Sequence, residues 1–179
     1  MKGAVALVVV ALLAAGCATT TAAAPTAVPS VAAASATAFN QTDVAWIELT
    51  VPMTENAVAA LDLAASHGAA TAVTGQLLDG QRKLLDRLQT VRTRAGLPDV
   101  NIHSGHRLPG LITEADLVAL RDAHGEDFSR RLLPLVGAHL AQLIVLSRGE
   151  QQSGAEPSTR ALAGDITKAA QEQQGLVRG

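Results

Sequence analysis

Cys17 is the single cysteine of the 179-residue chain, so neither a disulfide nor a thiolate zinc centre has a second sulfur to use. Its surroundings give the thiol a different chemistry. The opening stretch MKGAVALVVVALLAAGC holds one Lys, an uncharged apolar run from Gly3 to Ala15, and small residues directly before the cysteine. That run is too short to span a bilayer as a permanent helix and suits the apolar region of an export signal. Ala14, Ala15 and Gly16 before Cys17 look like a lipobox, where the leader is removed and the thiol receives a diacylglycerol. Ala14 stands where Leu is commonest, and a plain secretory signal with an incidental Cys is the alternative. Several acyl chains would tether the protein stably to the outer face of the cell membrane.

Histidines are the next candidates. His103 and His106, in NIHSGHRLPG, have a spacing that a metal accepts, although no carboxylate stands beside them and a solvated loop pair is the plainer reading. His67 and His124 directly precede Gly68 and Gly125, at expected helix ends, where a partial positive charge complements the helix dipole. Enzyme constellations are missing. A ferritin-like di-iron centre needs inward Glu residues and a Glu-x-x-His step, and that step occurs nowhere in the sequence. There is no Gly-rich phosphate loop after a strand and no nucleophile elbow, and no spacing singles out a Ser-His-Asp triad. The sequence therefore reads as that of a non-enzyme.

Composition says what must position these groups. Hydrophobic residues make up 48% of the chain but aromatics only 2%, with one Trp, two Phe and no Tyr. Nearly one residue in five is Ala, which favours a helical core of small aliphatic side chains over strands. A nucleic-acid platform of stacking aromatics is excluded. With Lys2 removed, 13 basic residues face 16 acidic ones, a balance that drives association with neither nucleic acid nor anionic lipid. Residues 18–38 are Ala, Thr, Pro, Ser and Val without a charge and read as a flexible tether reaching on the order of 25 Å. Its Ser and Thr residues could carry sugars.

From residue 39 onward the punctuation is helical. Asn40 with Asp43 resembles a capping box and opens a stripe of Trp46, Leu49, Met53, Ala57, Ala60 and Ala64 that ends near Gly68 and is kinked at Pro52. A second helix carries Leu77, Leu84, Leu88 and Val91, with Leu78 and Leu85 beside them, and stops at Gly96. Its Arg82, Lys83, Arg87, Arg92 and Arg94 read as a solvated basic face rather than an anion site. A loop from Leu97 to Ile112 leads to a short helix opened by Thr113 with Asp116 and closed by Gly125. A third long helix carries Phe128, Leu132, Leu135, His139, Leu143 and Leu146, with no carboxylate between Phe128 and Ser147. The fourth starts near Pro157 and carries Leu162, Ile166, Ala169, Gln173 and Leu176. Two αα-hairpins joined by a long crossover containing the short helix predict an all-α, ferritin-like four-helix bundle over 39–179.

These residues also carry a resemblance. FNQTDVAWIELTVPMTENAV is similar to the opening of the domain of unknown function 305 (DUF305) family, which typically shows Phe-Asn, then Asp-Val-x-Phe, then Pro-His-His-x-x-Ala-Val. Phe39, Asn40, Asp43, Val44, Pro52, Ala57 and Val58 match it without a gap. LPGLITEADLVALRDAHGEDF resembles the family's Met-Pro-Gly-Met-Met phrase and the short helix after it. EPSTRALAGDI resembles its closing helix through Pro157, Arg160, Ala161, Leu162, Ala163 and Ile166. The resemblance implies a duplicated ferritin-like fold and, for some members, an association with copper outside the cytoplasm through soft His and Met ligands.

At those ligand positions this chain departs from the pattern. The first His-His falls on Met53 and Thr54, the second on His139 and Leu140, and the Met-rich phrase has become Leu108, Pro109, Gly110, Leu111 and Ile112. Aliphatic residues keep the volume and delete the sulfur. Met53 and His139 lie on apolar stripes and are expected to face one another inside the bundle. They would make a residual copper(I) site of one thioether and one imidazole, or, on the plainer reading, a core Met and a satisfied buried His. The sequence thus predicts a non-catalytic, lipid-anchored extracytoplasmic bundle that acts by protein contacts or weak ligand binding. A copper-buffering lipoprotein is the alternative.

Overall fold

The computed structural model describes residues 38–178. The leader, Cys17 and nearly all of the 18–38 tether lie outside the described residues. Within them the chain forms five helices and no strand: α1 (Gln41–Ser66), α2 (Ala72–Arg94), α3 (Glu114–Arg121), α4 (Gly125–Ser153) and α5 (Pro157–Arg178). The starts are written in capping chemistry. Asn40 and Asp43 exchange the two bonds of a capping box, Thr113 and Asp116 do the same for α3, and Thr71 with Thr74 opens α2 in the same way. The third box uses a hydroxyl at the position where Glu or Gln is usual, which hid it in the sequence.

Neighbouring helices run antiparallel. The Asn40 side-chain amide donates to the Ser153 carbonyl at the end of α4 at 2.8 Å. At the other end of α1 the Gly125 N–H donates to the His67 carbonyl at 2.7 Å. Arg94, the last residue of α2, pairs with Glu156 immediately before α5 at 3.0 Å. α2 therefore ends at the Asn40 end of the bundle while α4 begins at the opposite one. The intervening 95–124 must travel the bundle's length, about 39 Å for a helix the size of α1. This lengthwise crossover distinguishes a ferritin-like bundle from an up-and-down one.

α1 packs on both α2 and α4, and α5 closes the ring against α4 and α2. The core between them is aliphatic, with Ile47, Leu61, Leu77, Leu88, Leu120, Leu132, Leu140 and Leu143 buried together with Phe128. α4 is long and apolar enough to cross a membrane, and its apolar stripe is spent in this core. The buried face is rotated from the expected one in places. Leu49, Leu135 and Leu146 are only half-buried, Val136 and Leu140 take the central places on α4, and on α5 Ala170 replaces the exposed Ala169 while Leu176 reaches solvent. A second internal proline, Pro134, sits in α4 as Pro52 sits in α1.

One carboxylate gathers the Asn40 end. Asp43, fully buried, accepts from the Asn40 N–H at 2.6 Å and from the N–H groups of Ala155 and Glu156 at 3.1 and 3.2 Å. The first turn of α1 is thereby tied to the turn between α4 and α5. Beside it Glu156 caps α5 through the Thr159 N–H at 2.6 Å and the hydroxyls of Ser158 and Thr159. Substituting Asp43→Ala leaves buried N–H donors without an acceptor and is expected to cost about 3 kcal/mol, read as a lowered urea midpoint. A change within experimental error would show that this tie does not hold the bundle together.

Candidate functional site

The residues singled out from the sequence gather along the crossover. Gly110 adopts φ +70°, and a Cβ there would lie 2.7 Å from the Ala138 carbonyl oxygen and 2.5 Å from Gln142 Cβ. A residue without a side chain is thus required where the crossover presses onto α4. Two residues on, the Ile112 carbonyl accepts from the Asn56 side-chain amide of α1 at 2.7 Å, and Ile112 itself is buried. The LPGLI phrase therefore lies across α1 and α4. It is stationed over the stretches that carry Met53, three residues before Asn56, and His139, next to Ala138.

Met53 and His139 are both buried, at 1% and 0% exposure. The His139 ring has an internal partner: Nε2 lies 2.9 Å from Gln81 Oε1 on α2. Gln81 Nε2 in turn donates to Gln173 Oε1 on α5 at 2.6 Å. Gln81 thus bridges the ring to Gln173. Nδ1 makes no hydrogen bond of standard geometry among the described residues. Burial drives the imidazole down to about 4, opposed only by the backbone of Gly110, so the ring is neutral at pH 7. The sequence did not flag Gln81, although it falls in phase with Leu77, Leu84 and Leu88 and so signalled a polar group on a buried stripe.

The other histidines occupy different settings. His103 and His106 come together in the crossover loop, ring centroids 5.9 Å apart and tilted by 58°, along a polar depression that also holds Arg107 and Glu114. His67 follows α1 as expected: its Nδ1 lies 2.8 Å from the Leu63 carbonyl and its Nε2 3.1 Å from that of Arg121. It stacks between His124 and Phe128, at 5.0 and 5.1 Å. His124 departs from expectation. α3 stops at Arg121 and His124 is the N-cap of α4 without a side-chain capping bond, so ring stacking rather than a C-terminal dipole contact is its role there. Among the described residues no group of three or more His, Cys, Asp or Glu is placed to hold a metal ion. The basic face of α2 is tied up in pairs, Arg82 with Asp62, Arg87 with Asp165, Arg92 with Asp99 and Arg94 with Glu156.

A second buried polar group went unnoticed in the sequence. Glu150 is 1% exposed, one heptad beyond Leu143 on α4, and its carboxyl lies against that of Asp43, to which its protonated form hydrogen-bonds. Burial, with the acidic Asp43 beside it, pushes this carboxyl up to about 8. Asp43 itself titrates low: burial opposes its charge, but Glu150 and the N–H groups of Asn40, Ala155 and Glu156 outweigh that. Glu156 is held at about 2, burial again being overcome by the hydroxyls of Thr159 and Ser158.

No protein-family model and no curated protein matches the sequence. Two solved structures match the fold. A DUF305 fragment from Deinococcus radiodurans superposes with a TM-score of 0.68 at 15% identity, covering 79% of this chain and 96% of that one. A DUF305 protein from Streptomyces coelicolor, named as a candidate secreted protein, gives 0.66 at 15% identity, covering 76% and 89%. The chain has the DUF305 fold, in agreement with the motif resemblance. Neither relative's name carries a catalytic activity.

Of the four displaced buried groups, Glu150 and His139 set the pH dependence of stability between pH 4.5 and 8. Glu150, raised from its ordinary 4.5 to about 8, adds stability below 4.5 that is lost as pH rises through 8. His139, lowered from 6.5 to about 4, adds stability above 6.5 that is lost as pH falls through 4. Between 4.5 and 6.5 the slopes oppose each other, leaving a plateau, and from 6.5 to 8 the Glu150 slope acts alone. Unfolding free energy should therefore fall by about 2 kcal/mol across that last interval. Glu150→Gln should flatten the fall in urea titrations at successive pH values. An equally steep fall in that variant would show that another group titrates.

Proposed function

We propose that this chain is an exported, lipid-anchored, non-catalytic member of the DUF305 group: a helical bundle carried on a tether from the cell membrane and working through contacts with other molecules. The observation that carries the reading is the filling of the ligand positions. Ile112 stands where the family phrase ends in Met and is buried as an ordinary core side chain, while Leu108 and Leu111, at the other two Met positions, are partly buried. Export is supported by the apolar leader before Cys17 and by the naming of the Streptomyces relative. Nothing in the charge balance or aromatic content favours a nucleic-acid partner.

The copper implied by the family does not fit the residues present. An imidazole and a thioether are suitable companions for copper(I). Yet His139 and Met53 are the only soft donors placed at the family's ligand positions, and His103 and His106 line a surface depression while those two side chains are buried. The lack of a standard hydrogen bond at His139 Nδ1 is the one observation that favours the alternative, a residual copper-buffering site.

Two measurements test these readings. In a bacterial host the mature protein should partition into the detergent phase with a diacylglyceryl group on Cys17, and Cys17→Ser should move it to the aqueous phase. A Cys17→Ser protein that remained lipid-extractable would remove the anchor. Calorimetric titration with copper(I) should give the same small heats for the wild type and for the Met53→Leu, His139→Leu double variant. Stoichiometric binding confined to the wild type would establish the copper reading instead.

A further inference from the structure

We propose that His103 and His106 in the crossover loop hold a divalent ion of the zinc class, with one nitrogen from each ring and water at the remaining positions. The turn between them brings the rings together. The His106 N–H donates to the His103 carbonyl at 3.0 Å and closes a four-residue turn whose third residue, Gly105, has φ +79°. Glycine adopts that value freely, and a type II turn needs it at this place. The entry to the turn is fixed as well. Asn101 Oδ1 accepts the His103 N–H at 2.9 Å, and the Asn101 carbonyl accepts the Ser104 N–H at 3.3 Å.

Ring geometry singles out this pair. A zinc ion lies about 2.1 Å from an imidazole nitrogen, and so roughly 3.2 Å from the ring centroid, which lets two rings share one ion at centroid separations up to roughly 6.4 Å. His103 and His106 stand 5.9 Å apart with their planes tilted by 58°. His67 and His124 are closer but stacked at 13°, so no single ion lies in both ring planes, and both nitrogens of His67 already face carbonyl oxygens. His139 is buried against Gln81. The hydrogen bonds that hold the loop are made by its backbone and by Asn101, and they leave the two rings out. Both rings border an open depression of about 380 Å³, which has room for an ion and its waters.

Neutral imidazole selects borderline divalent ions over calcium and magnesium, which require oxygen ligands. The depression supplies no third protein ligand. Its one carboxylate, Glu114, pairs with Arg121 at 2.8 Å, and the Asn101 side-chain oxygen is taken by the turn. Arg107 lines the same depression and opposes a cation, an effect that solvent and salt screen. Two donors therefore hold the ion in exchange with free metal. The site is separate from Met53 and His139 and stands whether or not those residues bind copper.

Calorimetric titration of the full chain in detergent with zinc, at about pH 7.5, should show one-to-one binding with a Kd below about 0.1 mM. His103→Ala and His106→Ala should each weaken it at least tenfold, whereas the Met53→Leu, His139→Leu double variant should bind as the wild type does. Gly105→Ala, which keeps both ligands but strains the turn, should weaken binding, and Arg107→Gln should tighten it. Affinity should fall as the pH is lowered, because protons compete for two ring nitrogens. Of the five histidines, only His103 and His106 should show shifted ring resonances in NMR spectra of the wild type with zinc. No saturable binding, binding unchanged in both single-histidine variants, or shifts confined to other histidines would overturn the proposal. Binding lost only in the Met53→Leu, His139→Leu variant would overturn it in favour of the family's ligand positions. The wild-type spectra decide the matter even if a variant fails to fold.

Discussion

A buried carboxylate at the start of one helix holds this bundle in register. Asp43 completes the capping box of α1 and, with the same two oxygens, accepts the N–H groups of Ala155 and Glu156 in the turn that joins α4 to α5. Removing a charge from water is costly unless its lone pairs are filled, and here three backbone donors fill them. The consequence is long-range: residues more than a hundred positions apart are locked at one end. With that end fixed, the lengths of α1 and α4 place His67 against His124 and Phe128 at the other, and the crossover runs over the α1–α4 groove.

The crossover phrase is seated by Gly110 against α4 and by Asn56 of α1, a geometry that depends on backbone approach and needs no sulfur in the phrase. Aliphatic side chains of similar volume hold the same packing, so the scaffold is separable from the chemistry once mounted on it. What persists is a neutral His139 hydrogen-bonded through Gln81 to Gln173, a polar thread across three helices. The thread fixes how α2 and α5 meet α4 inside an otherwise aliphatic core, and polar groups satisfied in this way rigidify a core.

Much of the fold was legible in the sequence because capping and stripe signals are local. Asn40 with Asp43, Thr113 with Asp116 and Pro157 each announced a helix start that the structure places within a residue or two. The Thr71 and Thr74 box was not legible, since hydroxyls at both positions look like an ordinary polar loop. Which apolar residues face inward was less clear where a stripe was wide: α4 offers Leu135 and Val136 side by side, and only the packing partners choose Val136. The candidate site divides the same way. Met53 and His139 were legible as donors on buried stripes, but the Gln81 partner depends on α2 crossing α4 at that level. Glu150 looked like a charged residue near a helix end until the turn to α5 folded Asp43 and Gly154 against it. Contacts made across the bundle are the ones that one-dimensional spacing does not encode.

The bundle has the DUF305 fold with aliphatic residues in the crossover phrase, and its metal content separates the contact reading from the copper reading. The most direct measurement is the copper content of the mature protein purified from its native membrane without added metal. Far less than one copper per chain is expected, unchanged when His139 is replaced by Leu. One copper per chain, lost in that variant, would contradict it.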